Sequence, residues 1–142
     1  MRVRWVLDTN VIMAAMRSPT GASAGILRLA RQHKVVTLAN VALALEYEAL
    51  CLMDAHWRPA GLTFDEAGVF VDAVIAMITP VESHFMWRPQ LRDPADEFVL
   101  DAAVNGRADG IVTFNVRDFA DAPARFGISL YTPSEAFRSI EL

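Results

Sequence analysis

The chain has 142 residues, 54% of them hydrophobic, and a formal net charge of -4, which is the size and apolar content of one domain spanning residues 1–142 with a core to bury rather than of a disordered segment. Charges spread from Arg2 to Glu141 leave no uncharged run long enough to span a bilayer. The stretch from Trp5 to Ala15 is broken by Asp8 and Asn10 with no clean cleavage site after it, so no signal peptide and a cytoplasmic location are expected.

In chain order, Val3-Arg4-Trp5-Val6-Leu7 reads as a strand that Asp8-Thr9-Asn10 ends, with a short capped helix following through Ala15. Ser18 to Gly21 is a loop, and Ala22 to His33 has amphipathic helical spacing. Val35 to Leu38 is a second strand. Asn40 caps a long helix to about His56, the Pro59–Gly61 break follows, and a further helix runs from about Thr63 to Ile78. Thr79 to Trp87 holds a third strand and Arg88 to Pro94 a polar loop. Asp96 to Arg107 is helical, Gly110 to Thr113 and Ile128 to Tyr131 are strands, and a last helix starts at Pro133. Apolar strands alternating with helices predict an α/β fold whose parallel sheet is covered on both faces.

In such sheets ligands sit beyond the carboxyl ends of the strands. Asp8 follows the first strand, and Asn115 and Asp118 follow the strand ending at Thr113, so they meet if these strands are neighbours. Asp93, Asp96 and Glu97 cluster at a helix start, where acids also serve as caps and complement the helix dipole. Glu46 and Glu48 lie in an otherwise apolar helix expected to have little solvent-facing surface. Two residues apart is roughly 200° of rotation, so one faces solvent and the other turns inward. One cysteine, Cys51, and three scattered histidines, His33, His56 and His84, exclude a disulfide framework and a thiolate zinc site, leaving oxygen to hold any metal.

The ordered set Leu7-Asp8-Thr9-Asn10, Leu45-Glu46-Tyr47, Arg92-Asp93-Pro94-Ala95-Asp96-Glu97-Phe98 and Gly110-Ile111-Val112-Thr113-Phe114-Asn115-Val116-Arg117-Asp118-Phe119 resembles the PIN-domain ribonucleases, and among them the VapC-like toxins of toxin-antitoxin pairs. The resemblance runs over essentially the whole chain. It implies a three-layer α/β/α sandwich around a mainly parallel sheet, with an acidic pocket for Mg²⁺ or Mn²⁺. It also implies a metal-dependent endoribonuclease acting on RNA, with a cognate antitoxin as a partner. Asp8 resembles the first ligand, Glu46 the helical acid, Asp96 the third acid, and Asp118 with Asn115 the last position. Many relatives carry Asp where Asn115 stands, so the fourth carboxylate is replaced by an amide or supplied by Asp118. Asp96 and Glu97 compete as metal ligand, depending on the register assumed for their helix.

Thr9, Asn10 and Thr113 stand beside these acids as supporting groups that orient carboxylates or waters. The sequence pI of 5.3 argues against wrapping duplex DNA by bulk charge. Arg17, Arg92 and Arg117 are nonetheless placed to contact RNA phosphates. A phosphatase with a nucleophilic Asp would want a second Asp where Asn10 stands. The remaining alternative is a catalytically degenerate module that binds RNA or protein. Two long apolar helices between Val41 and Ile78 exceed what a small sheet needs, which predicts a homodimer or an antitoxin-covered surface.

Overall fold

A computed structural model describes residues 2–82, 91 and 93–140. Among them the elements are β1 (Val3–Leu7), α1 (Thr9–Arg17), α2 (Ala22–Arg31), β2 (Val35–Ala39), α3 (Val41–Cys51), α4 (Asp54–Trp57), α5 (Phe64–Met77), β3 (Ile78–Pro80), α6 (Pro94–Asn105), β4 (Gly110–Val112), α7 (Val116–Phe119), α8 (Ala122–Arg125), β5 (Ser129–Tyr131) and α9 (Pro133–Ile140). The five strands are all parallel in the order β3-β2-β1-β4-β5. Chain progress from β1 to β3 moves one way across the sheet and then returns past β1 to β4. Right-handed crossovers therefore put the two sets of helices on opposite faces. The helix α6 packs on β1, β2 and β4, while α1, α2 and α9 pack together, with α2 on β2 and α9 on β5. This is the expected α/β sandwich.

The core follows from burial of β1 on both faces. Val6 pairs with Leu38 and Ile111, and all three are fully buried, as continuous apolar strands in a doubly covered sheet require. Two glycines set close approaches. A Cβ on Gly110 would stand 2.7 Å from the Tyr131 ring, so glycine lets Tyr131 lie over β4 and reach Trp5, 6.2 Å between ring centroids. A Cβ on Gly25 would meet Phe137 at 2.6 Å, so glycine also sets the α2–α9 contact. Cys51 is buried and its thiol is pushed up to about 11, an unreactive packing group.

Helix starts carry their own signals. Asn40 Oδ1 accepts from the Leu43 N–H at 2.9 Å, Thr63 and Glu66 form a reciprocal capping box, and Thr132 and Glu135 repeat it before α9. Several boundaries differ from the sequence reading. The helix begun at Asn40 stops at Cys51 and resumes as α4, because Met53 is extended and Trp57 Nε1 donates to the Leu52 carbonyl at 3.2 Å. Its surface is also more open than expected, with Val41 at 74% and Leu45 at 59% exposure. The helix α6 starts at Pro94 rather than Asp96 because Asp93 is the cap, its Oδ1 accepting from Ala95 N–H at 2.9 Å. The third strand lies at Ile78–Pro80, paired with Thr37 to Ala39, at the front of the segment assigned to it. Residues 83–87 of that segment, which include His84 and Trp87, and most of the 88–94 loop, including Arg92, fall outside the described residues. The helices α7 and α8 fall where the sequence pattern assigns no element. Each is a single turn, too short for periodicity to register. Among the described residues no helix is long and apolar enough to cross a membrane.

Candidate active site

The strand order reverses between β1 and β4, and the crevice beyond their carboxyl ends is where a doubly wound sheet offers a binding site. An open cleft of about 620 Å³ lies there, lined by Asp8, Glu46, Asp93 and Asp96 together with Thr9, Asn10, Arg17, His56, Phe114 and Asn115. Acids from β1, α3 and α6, distant in sequence, thus share one concavity.

Asp8 is buried and heavily bonded. Its Oδ1 accepts from the Thr9 N–H at 2.8 Å, and its Oδ2 accepts from the Thr113 hydroxyl at 2.7 Å and the Asn10 amide at 3.3 Å. Burial pushes this carboxyl above its ordinary value, the bonds from Thr113 and Thr9 oppose the rise, and Glu46 and Asp118 add to it. Asn10 also accepts from the Phe114 N–H at 3.3 Å, and the Asn115 N–H donates to Thr113 Oγ1 at 3.0 Å. The residues leaving β4 are thereby fastened to the first acid. Asn10 and Thr113 thus reach Asp8 through their side chains and Thr9 through its backbone N–H. Thr9 Oγ1 is buried in the cleft wall without a hydrogen-bond partner among the described residues.

Because Asp93 takes the cap, the Asp96 carboxylate is released to the cleft. It is buried, and its carboxyl is pushed up to about 6, first by burial and then by Asp8, Asp93, Asp118 and Glu46. Glu97, also buried, turns elsewhere, its Oε1 accepting from the Leu91 N–H at 2.6 Å. The structure thus puts Asp96 in the cleft and Glu97 against the preceding loop. Glu46 is half-buried and lines the cleft while Glu48 is exposed, the division that their spacing implies. Asp118 is exposed on α7 and is not among the lining residues, but its charge acts on both Asp8 and Asp96. Asn115 is exposed at the rim. Arg17 closes α1 on the cleft wall, Arg117 is exposed on α7, and Arg92 is outside the described residues.

Several residues that position the acids were not assigned to the site from sequence. Tyr47 is fully buried and its hydroxyl donates to the Leu7 carbonyl, the last residue of β1. Burial above all, then Asp8 and Glu46, hold that hydroxyl well above its ordinary value, so it remains a donor. Asn40 not only caps α3 but donates through Nδ2 to the Phe98 carbonyl of α6 at 2.9 Å, tying the helix of Glu46 to the helix of Asp96. His56 meets Arg17, Nη2 to Nδ1 at 3.3 Å. The sequence does carry the signals for Tyr47 and Asn40, a phenol beside an acid in an apolar helix and an amide at a helix start. Their long-range partners, 40 and 58 residues away, do not show in any local pattern.

A divalent cation suits this donor chemistry. The donors are hard oxygens whose mutual repulsion a cation relieves. Among the described residues no three acids, histidines or cysteines converge closely enough to enclose an ion.

Comparison with known proteins agrees with the fold. The chain is similar over 90% of its length, and over 97% of the other chain, to a chain in the crystal structure of VapBC2 from Rickettsia felis bound to a DNA fragment from their promoter, with 13% sequence identity and a TM-score of 0.64. No curated protein matches it. The PIN domain family matches residues 4–117, a span holding β1 through β4 and every acid of the cleft, and the chain belongs to that family.

Proposed function

We propose that this chain is a metal-dependent endoribonuclease that hydrolyses RNA phosphodiesters, and that it is the toxin of a toxin-antitoxin pair. The observation that carries the reading is the gathering of Asp8, Glu46 and Asp96 in one cleft at the switch point of the sheet, with two of these carboxyls raised above their ordinary values. Burying like charges together costs stability, and a cation at that place offsets the cost. Membership of a nuclease family supports the same conclusion, and the likeness to a chain of a VapBC2 assembly supports an antitoxin partner.

Asp8, Glu46 and Asp96 would hold Mg²⁺ or Mn²⁺, with Asp118 adding charge from α7. When bound, the ion supplies an activated water and neutralises charge developing on the phosphate oxygens. Thr113 and Asn10 keep Asp8 oriented by donating to Oδ2. Arg17, whose planar guanidinium suits a phosphate, lines the same cleft and would hold a phosphate of the RNA. Exposed apolar side chains on α3 and α5, among them Val41, Leu45 and Val69, fit a homodimer, with the antitoxin covering further surface. A second reading, a degenerate binding module, draws on one observation: the rim position next to Thr113 is filled by the amide Asn115.

The test is cleavage of a mixed RNA pool with Mg²⁺ or Mn²⁺, with chelator, and with Asp8→Asn alongside. Cleavage that needs the metal and vanishes in Asp8→Asn is expected. Cleavage that survives the substitution overturns the assignment of the site. If RNA is bound and never cut, and Asn115→Asp brings cleavage, the degenerate module is the correct reading.

A further inference from the structure

Resting on the reading of the cleft as an RNA site, we propose that Phe114 is the surface on which an unpaired base stacks, beside the phosphate held at the acids. Trp5, Tyr47 and Phe119 are enclosed at 2% exposure or less, whereas Phe114 is 52% exposed. The other large apolar side chains that face solvent, Val41, Leu45, Met53, Phe64 and Val69, are not among the residues lining this cleft. Phe114 is, together with Asp8, Asp96 and Arg17.

The ring is not on a loosely attached loop. The Phe114 N–H is held by Asn10 at 3.3 Å, and the next N–H, that of Asn115, by the Thr113 hydroxyl that itself donates to Asp8. Asn10 and Thr113 also bond the first acid, so the backbone that carries the ring keeps a fixed place relative to it. Each face of a base is an extended apolar surface, and stacking on an aromatic side chain is tolerant of which base it is. Phenylalanine has no donor or acceptor with which to read a base edge. It therefore selects for a base whose face is open, which a paired base in a helix does not offer. Arg17, which lines the same cleft, supplies the charge for the adjoining phosphate.

The test is fluorescence anisotropy with a fluorescein-labelled single-stranded RNA of mixed sequence, with Ca²⁺ in place of Mg²⁺ so that a hard cation is present. Wild type, Phe114→Ala, Phe114→Leu and Phe114→Trp are compared, each first shown to melt like wild type. Loss of roughly 5- to 100-fold in affinity is expected for the Ala and Leu variants, with Trp close to wild type. With an RNA of abasic nucleotides, wild type and Phe114→Ala should bind alike. Equal binding by Phe114→Leu and wild type, an undiminished loss on abasic RNA, or no binding by wild type overturns the proposal. Phe114-dependent binding without cleavage in Mg²⁺ or Mn²⁺ upholds the stacking role and removes the nuclease. Cleavage with unchanged affinity in Phe114→Ala does the reverse.

Discussion

At the scale of single residues, Asp96 makes the apo site costly. Its carboxyl sits at about 6 in the folded chain against about 3.9 when unfolded, so the native state holds a proton that the unfolded state releases. The stability tied to that proton is complete below the unfolded value and is lost as pH rises through about 6. Asp96→Asn should therefore stabilise metal-free protein at pH 7.5 by on the order of 1–3 kcal/mol and do little at pH 4, which thermal melts in chelator would read. The same substitution should weaken Mn²⁺ binding, measured by calorimetry. In the wild type, metal affinity should itself decline as pH falls through about 6 and the proton competes. Arg17 makes a different kind of contribution. Arg17→Ala should lower RNA affinity evenly across sequences and reduce the slope of log affinity against log salt by about one. An unchanged slope would mean that the guanidinium serves His56 and not the RNA.

At the scale of elements, the site is a matter of which helix is fastened to which. Asn40 caps α3 through its oxygen and binds α6 through its nitrogen, and the two jobs separate by mutation. Asn40→Ala should cost about 1–2 kcal/mol and loosen metal binding. Asn40→Asp should recover the cap and most of the stability, yet leave metal binding weak, because a carboxylate has no proton to give Phe98. Equal metal affinity in wild type and Asn40→Asp would show that the tie between α3 and α6 does not set the acids. These relations also mark what was legible beforehand. The strands β1, β2, β4 and β5 and the acid after β1 were readable because apolar runs and the Asp-Thr-Asn turn are local. Asp93, not Asp96, caps α6, and that leaves the Asp96 carboxylate free of a capping bond where both line the cleft. Both candidate caps, three residues apart, are acids in this sequence, and Pro94 at the first turn favours Asp93. Tyr47 and Asn40 act across the fold, and local periodicity says nothing of a partner so far along the chain. Phe114 looked like one more apolar residue at a strand end, and only its exposure gives it a different meaning.

At the scale of the whole molecule, exposed Val41 on α3 and Val69 on α5, at 74% and 71%, predict association. Wild-type protein should scatter light as a dimer at micromolar concentration, and the double variant Val41→Glu, Val69→Glu should scatter as a monomer. Both positions lie off the cleft, so metal-dependent cleavage should persist in the monomer unless the partner completes the site. A wild type that is monomeric throughout would remove the dimer. The parallel sheet has a further consequence, in the timing of synthesis. Asp8 is made 105 residues before the Thr113 hydroxyl that orients it, and β4 reaches its place beside β1 only after α6 has formed the crossover. A chain still on the ribosome thus carries its first acid without the strand that fixes it. On the proposed function, a chain able to cut RNA would be kept from cutting the message it is being read from until Thr113 had emerged.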